Sequence, residues 1–442
     1  MWAQRRRWAT RSDFGALTDS ERAWARRNHI LGGLLGRSGG LSSRVTARRF
    51  AFGLLAYAFA AIMVGTTLPT PMYALYGQQM HFAVLTTTVI YATYAAGVLF
   101  ALLVFGRWSD AIGRRPVLLA GVVAALASAA VFLVADSVSL LLVGRVLSGL
   151  SAGIFTGTAT AAVIEAAPEK WRARAAAVAT VANMGGLGIG PLLAGVLVEY
   201  APAPLHLSFI VHIVLALLAG AAVLIVPETS ASTGKIGVQR LSVPAEVRAV
   251  FVVASLAAFA GFAVTGLFAA VAPSFVSGVV GIDNHAIAGL IASSIFFASA
   301  AAQIAGRNLN PQRAVAIGCG ILVVGMVILA VALQLSSLIG LVAAAVVAGV
   351  GQGISFSRGL AAVAERTPAD RRAEVSSTYF VVAYVAISLP VVGEGVAAQH
   401  WGLQTAGVTF AVAVAVLSAI CLVGILVLEA RQARSLVTTG IG

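Results

Sequence analysis

Twelve apolar runs follow one another between Phe50 and the C-terminal end of the chain, each near the roughly 20 residues a helix needs to cross hydrocarbon. They lie at about 50–70, 82–105, 117–135, 138–164, 173–198, 204–226, 249–273, 286–305, 314–334, 337–361, 374–397 and 404–428. Inside a bilayer no water reaches the backbone, so each run has to satisfy its own N–H and C=O groups, which a helix does and an isolated strand does not. Composition points the same way. The chain is 60% hydrophobic and 10% charged, whereas soluble domains carry about 25% charged residues. A water-soluble protein of 442 residues could not cover such a core. The expected class is an all-α membrane protein of twelve transmembrane helices.

The positions of the charges set the topology. A formal charge of +13 could suggest nucleic acid as a partner. The basic residues do not spread over a polar face, however; they fall in short intervals between apolar runs, which excludes that reading. Of 29 Lys and Arg residues, 27 lie in the leader, the tail or alternate connections: 11 before Phe50, then Arg107, Arg114 and Arg115, and Lys170, Arg172 and Arg174. Lys235, Arg240 and Arg248, Arg307 and Arg313, Arg366, Arg371 and Arg372, and Arg431 and Arg434 complete the set. The six remaining connections have none. Both termini are therefore expected in the cytoplasm, with the protein spanning the plasma (inner) membrane. Residues 1–49 carry no signal-peptide pattern and read as a cytoplasmic Arg-rich tail against anionic lipid; a later translation start would remove much of that tail. Cys319 and Cys421 both fall within apolar runs and read as packed thiols. No Cys/His cluster has metal-ligand spacing, and no phosphate loop, nucleophile elbow or other cofactor box is present, so neither metal nor cofactor nor enzyme chemistry is expected.

The chain also repeats itself at an offset of 200 residues. Gly106-Arg107 recurs as Gly306-Arg307, Gly149 and Gly153 as Gly349 and Gly353, Glu165-x-x-Pro168 as Glu365-x-x-Pro368, and Gly195 as Gly395. One offset across four elements indicates duplication. It divides the chain into a six-helix bundle at 50–228, a polar linker at 229–248, a second six-helix bundle at 249–429 and a tail at 430–442, with a pathway expected between the halves. The halves are unequal: Asp110 and Gly113-Arg114-Arg115 face Asn310 and the shorter Pro311-Gln312-Arg313.

The stretch Gly106-x-x-x-Asp110-x-x-Gly113-Arg114-Arg115 resembles the conserved loop between the second and third helices of major facilitator superfamily transporters. That resemblance implies the superfamily fold and alternating access. It also implies that the loop locks the halves together on the cytoplasmic side in the outward-open state. Without the resemblance, the loop reads as an ordinary positive-inside turn. Asp110 is placed to cap the third helix and pair with Arg114. Glu165 and Glu365 end the fourth and tenth runs, near Arg114 and Arg313 in the family fold, and are expected to form ion pairs supporting that gate. Arg358 is close enough in sequence to pair with Glu365.

Two charges lie inside spans and stand as coupling candidates. Arg145 costs about 2.5–3.5 kcal/mol on insertion scales and needs a partner. With Gly149 and Gly153 it resembles the superfamily's fourth-helix arginine motif, linked to proton transfer in efflux members; the alternative is an anchoring arginine that snorkels outward. Glu394 is placed to exchange a proton, or else to sit in an external vestibule, a few residues from the expected end of the eleventh run. The first run has no acid, unlike many proton-driven relatives. In the fifth run, Gly186, Gly190, Pro191 and Gly195 resemble the glycine–proline motif of proton-driven antiporters, with Ala194 in place of one glycine. Generic small-residue packing is the alternative.

Candidates for the substrate path are Tyr73, Tyr91, Tyr94 and Asn183 in the first half, and Phe268, Phe297, Gln303, Gln352, Phe356, Tyr379 and Tyr384 in the second. Aromatic surface with sparse polar handles suits small amphipathic molecules. The sequence thus reads as a monomeric secondary transporter, exporting such molecules in exchange for protons. An uptake symporter or facilitator for a sugar or organic acid, or a non-transporting membrane sensor, are the alternatives.

Overall fold

The computed structural model describes residues 42–230 and 236–438. The leader before residue 42, Lys235 and the side chains of Arg431 and Arg434 lie outside the described residues. Among the described residues, 12 helical stretches are long and apolar enough to span a membrane. They are α1 (Arg48–Met80), α2 (Val84–Phe105), α3 (Arg114–Leu133), α4 (Val138–Ala166), α5 (Glu169–Tyr200) and α6 (Leu207–Ile225) in the first half. The second half holds α7 (Ala245–Ala270), α8 (His285–Asn308), α9 (Pro311–Gln334), α10 (Leu338–Arg366), α11 (Arg372–Trp401) and α12 (Leu403–Val427).

Several spans run past their sequence limits, and in α1 and α11 the extension matters for the site. Pro69 and Pro71 remove backbone donors near the end of α1, yet the chain only bends there, through a 3-10 turn at Thr70–Met72, and resumes as helix over Tyr73–Met80. The α11 helix continues to Trp401, which moves Glu394 two turns inside its end.

The repeat is a repeat of helix crossings. Within the first half α4 lies against α2 so closely that a Cβ on Gly153 would stand 2.7 Å from the Val98 carbonyl oxygen, and one on Gly149 would overlap that of Tyr94. In the second half α10 meets α8 in the same way: a Cβ on Gly349 or Gly353 would stand 2.5 Å from the carbonyl oxygen of Ile295 or Ser299. With lipid outside as apolar as the interior, backbone contact through small residues is what drives such helices together.

Between the halves, α5 lies along α8 and α2 along α11. The tightest of these contacts are at the end remote from the arginine-bearing connections. A Cβ on Gly195 would stand 2.5 Å from the His285 carbonyl, and one on Gly395 3.1 Å from Leu85 Cα. Glu199 there accepts from the His285 backbone N–H at 2.9 Å and pairs with its Nδ1 at 3.1 Å. At the arginine end the described hydrogen bonds that join the halves run through the linker. Gln239 N–H donates to the Leu103 carbonyl at 2.7 Å, and Ser242 N–H to Thr378 Oγ1 at 3.1 Å.

Because the α2–α4 crossing leaves no room for a side chain, Gly149→Val is expected to cost upwards of about 3 kcal/mol and to abolish the monodisperse peak on detergent size exclusion. Gly424→Ala, where an added Cβ meets nothing within 4 Å, is the matched control and should elute as the parent does.

Candidate functional site

Where α1, α2, α4 and α5 face α7, α8, α10 and α11, the helices enclose a central cavity of about 60 Å³. That is room for a few waters. No side chain lining it is charged. Of the residues chosen from sequence, Tyr91, Tyr94, Asn183, Gln352, Phe356 and Tyr384 line it. Asn183 sits on a π-turn, Val181–Gly185, a local widening of the helix that turns it toward the cavity.

The other five do not line it. Tyr73 is turned away to Arg145. Phe268 is core, 1% exposed. Phe297 packs over Gly188 at the outside of the α5–α8 contact, and its neighbour Phe296 takes the cavity position. Gln303 lies one step behind, donating from Nε2 at 3.1 Å to Ser299 Oγ, which donates at 2.6 Å to Gln352 Oε1. Tyr379 is fully buried; its hydroxyl lies 3.3 and 3.2 Å from the Ala254 and Phe356 carbonyls, and its ring stacks on Phe356.

Hydroxyls that residue type alone does not single out complete the wall: Thr66, Thr67, Thr156, Thr265 and Ser299. Thr67 has a legible reason. Pro191 has no N–H to give the carbonyl four residues back, that of Leu187, and Thr67 Oγ1 donates to that carbonyl at 2.7 Å. The glycine motif around it is a two-sided contact. A Cβ on Gly186 would stand 2.6 Å from the Ala60 carbonyl of α1, and one on Gly190 2.5 Å from that of Val64, while Gly195 meets α8. The motif thus seats α5 on its own half and on the other.

Arg145 is 0% exposed, which overturns the snorkelling alternative. Its guanidinium donates to the Tyr73 hydroxyl from Nε at 2.6 Å and again from Nη2, and from Nη1 to the Thr66 carbonyl at 2.6 Å. The rings of Tyr73, Tyr91 and Tyr94 surround it at 5.2, 5.8 and 5.9 Å. Among the described residues no acid pairs with it; ring faces and neutral acceptors hold the charge. Since Tyr91 and Tyr94 also form the cavity wall, the cation stands one layer behind that wall.

Glu394 is not with it, nor in a vestibule. It is 3% exposed and borders a separate lateral cavity between α7, α11 and α12. The two coupling candidates therefore do not share a site.

At the arginine end, Gly113 enters α3 at φ 102°, a conformation that glycine adopts without strain. Asp110 does not cap α3. It sits on the short helix Trp108–Ile112 and pairs with Arg114 at 2.6 Å. The cap is Glu228, from beyond α6: its carboxylate oxygens accept from the Arg114 and Arg115 backbone N–H groups at 2.8 and 3.0 Å. Burial pushes this carboxyl up, but backbone donors from Ser230, Arg115, Arg114 and Thr229 outweigh it and hold it below the usual carboxylate range. Arg114 also donates to Ser109 Oγ at 2.7 Å and bridges to Glu165 at 2.9 Å, while Arg115 donates to the Leu224 carbonyl at 2.5 Å. All these partners belong to the first half.

The second half departs from expectation. Arg313 and Glu365 form no ion pair among the described residues. With Asn310 where Asp110 would stand, the loop closes as a simple cap, Asn310 Oδ1 accepting from Gln312 and Arg313 N–H at 3.2 and 3.4 Å. No acid is left to orient the Arg313 guanidinium. Arg358 donates to the Arg307 carbonyl at 2.7 Å instead of meeting Glu365.

Known proteins match this chain at three scales. In stretches, it is 36% identical over 108 residues to the class E tetracycline resistance protein of Escherichia coli, covering 24% of this chain and 26% of that protein. It is 34% identical over 133 residues to the class D tetracycline resistance protein of Salmonella ordonez, covering 29% and 31%. The chain thus spans about a quarter to a third of the curated relatives it matches. In fold, it superposes on a bacterial homologue of the human lysosomal transporter Spinster, crystallised inward-facing and unoccupied, with a TM-score of 0.68 over 86% of this chain and 97% of that one at 14% identity. The family model for the Major Facilitator Superfamily matches residues 50–391. Since that match runs from the first span through both halves into α11, the chain belongs to the major facilitator superfamily.

Proposed function

We propose that this protein is a monomeric secondary transporter of the plasma membrane that exports small amphipathic molecules in exchange for protons, by alternating access. The observation that carries the reading is the central cavity. It lies where the two halves meet, and tyrosine, phenylalanine, asparagine and glutamine side chains line it without a charge. Such a wall offers ring faces and a few neutral hydrogen bonds, which suits variable amphipathic solutes better than a sugar or a small acid. The likeness to two tetracycline resistance proteins supports export and makes tetracycline the first compound to try. The positive-inside pattern supports cytoplasmic termini and a cytoplasmic gate at Gly106–Arg115.

On this reading the structure is closed on the external side, where α5 meets α8 and α2 meets α11. The gate loop is braced within its own half and only the linker bridges to the other. A cavity of about 60 Å³ admits water but not a drug-sized molecule, so loading requires the halves to part further at the arginine end. Arg145 is a positioning residue here. Its guanidinium orients the tyrosines of the wall and sets a positive potential behind it, which favours neutral or anionic solutes in the cavity.

Inside-out vesicles holding the protein are expected to accumulate tetracycline or another amphipathic compound when the lumen is acid, and to lose it when nigericin collapses the gradient. A drug panel with no gradient-dependent accumulation would sink the antiport reading. Arg145→Met combined with Tyr73→Phe removes the charge together with the buried hydroxyl it holds, the kind of whole-site replacement that buried ion sites often tolerate in stability. It should leave a monodisperse protein whose transport falls by about tenfold or more, whereas a purely packing arginine predicts unchanged transport. In the gate, Arg114→Ala breaks contacts to Asp110, Ser109 and Glu165 and should slow transport several times more than Arg313→Ala; equal effects would refute the asymmetry.

A further inference from the structure

The lateral cavity between α7, α11 and α12 has a volume of about 370 Å³, within the size range of small-molecule sites. It shares no lining residue with the central cavity. Its wall is apolar and aromatic, with Phe259 from α7, Trp401 at the end of α11 and Phe410 from α12, and a single ionisable side chain, Glu394. Both oxygens of that carboxyl group are buried with no hydrogen-bond partner among the described residues. Gly393, Thr409 and Ala413, at its rim, are exposed in mid-span, and a Cβ on Gly393 meets nothing within 4 Å. The cavity therefore opens sideways between α11 and α12, toward lipid, in the half of the membrane remote from the arginine loops.

An acid buried with neither counter-ion nor hydrogen-bond partner is costly in a membrane protein, and packing alone gives no reason for one here. Burying a counter-cation against it offsets that cost, and ring faces within the same wall attract the same charge. A ligand that reaches the site from the bilayer has to be lipid-soluble. We infer that this cavity is a membrane-facing binding site for a lipophilic organic cation, with Glu394 as its counter-charge. It is separate from the central route, and of opposite sign to the potential that Arg145 sets there. The inference concerns binding and does not depend on the direction or coupling of transport.

The test is equilibrium binding of radiolabelled tetraphenylphosphonium to the purified full chain in nanodiscs, with tetraphenylborate as a shape-matched anion. The parent should bind tetraphenylphosphonium saturably, and tetraphenylborate should not compete. Glu394→Gln, a neutral isostere, should weaken binding by about tenfold or more. Gly393→Phe, which has open space for its side chain, should block the mouth and do the same without touching the acid. Asn183→Ala and Gln352→Ala, in the central cavity, should leave tetraphenylphosphonium affinity unchanged. Absence of saturable binding in the parent overturns the inference. So does parental affinity in Glu394→Gln, effective competition by tetraphenylborate, or a loss that follows the central variants instead.

Discussion

Inside hydrocarbon, a polar group that loses its partner has no solvent to turn to, and the architecture can be read as the set of answers to that problem. Helices answer it for the backbone except where the sequence breaks them. At Pro191 the freed Leu187 carbonyl is satisfied by Thr67 from α1, so the bend in α5 and the seating of α5 on α1 are one feature. Arg145 is the same problem for a charge. Its donors end on a tyrosine hydroxyl and a main-chain carbonyl, and three ring faces supply the rest. Two of those rings then form the cavity wall. The wall's shape is thereby tied to a buried cation that the pathway does not touch directly.

The pseudo-symmetry is similarly physical. Gly149 and Gly153 against α2, and Gly349 and Gly353 against α8, are the same close crossing built twice, so each half is tied together by backbone contact. The differences are concentrated in the arginine loops. In the first half one guanidinium gathers Asp110, Ser109 and Glu165, and Glu228 ties the loop to the end of α6. In the second, a capping asparagine replaces all of that. Exposed ion pairs contribute little individually, but Arg114 is 13% exposed and its acceptors converge, so the network fixes the loop's shape more than it adds stability.

Spans and halves were legible because each rests on a one-dimensional regularity: length in hydrocarbon and a fixed offset. Cavity membership was half legible. A tyrosine in a polar span can face the cavity, as Tyr91 does, or serve a neighbour, as Tyr73 and Tyr379 do, and residue type alone does not distinguish these. Helix phase would have helped with Phe296 against Phe297. The α3 cap was beyond reach, since Glu228 arrives from a position over a hundred residues away. Thr67 was recoverable in principle, because a proline in a span obliges some donor to appear, though not which one. Arg313 and Glu365 misled for the opposite reason: their equivalence in sequence to Arg114 and Glu165 is real, but the acid and the two loop residues that organise the first pair are missing from the second.

The two intramembrane charges deserve to be set side by side, because the protein holds them differently. Each guanidinium nitrogen of Arg145 has an acceptor and three ring faces surround it, so the fold itself compensates its burial. Glu394 is unpartnered and opens onto space that a ligand could fill. A compensated charge is a fixed part of the electrostatic landscape and can act only by shaping it. An uncompensated one has a free energy that depends on what occupies the space beside it, and only such a group can respond to an arriving ion. By that criterion the permanent positive field belongs to the central cavity and the responsive group to the flank. An account of coupling that treats the two residues as one relay therefore has to explain how they communicate through α11, which borders both cavities.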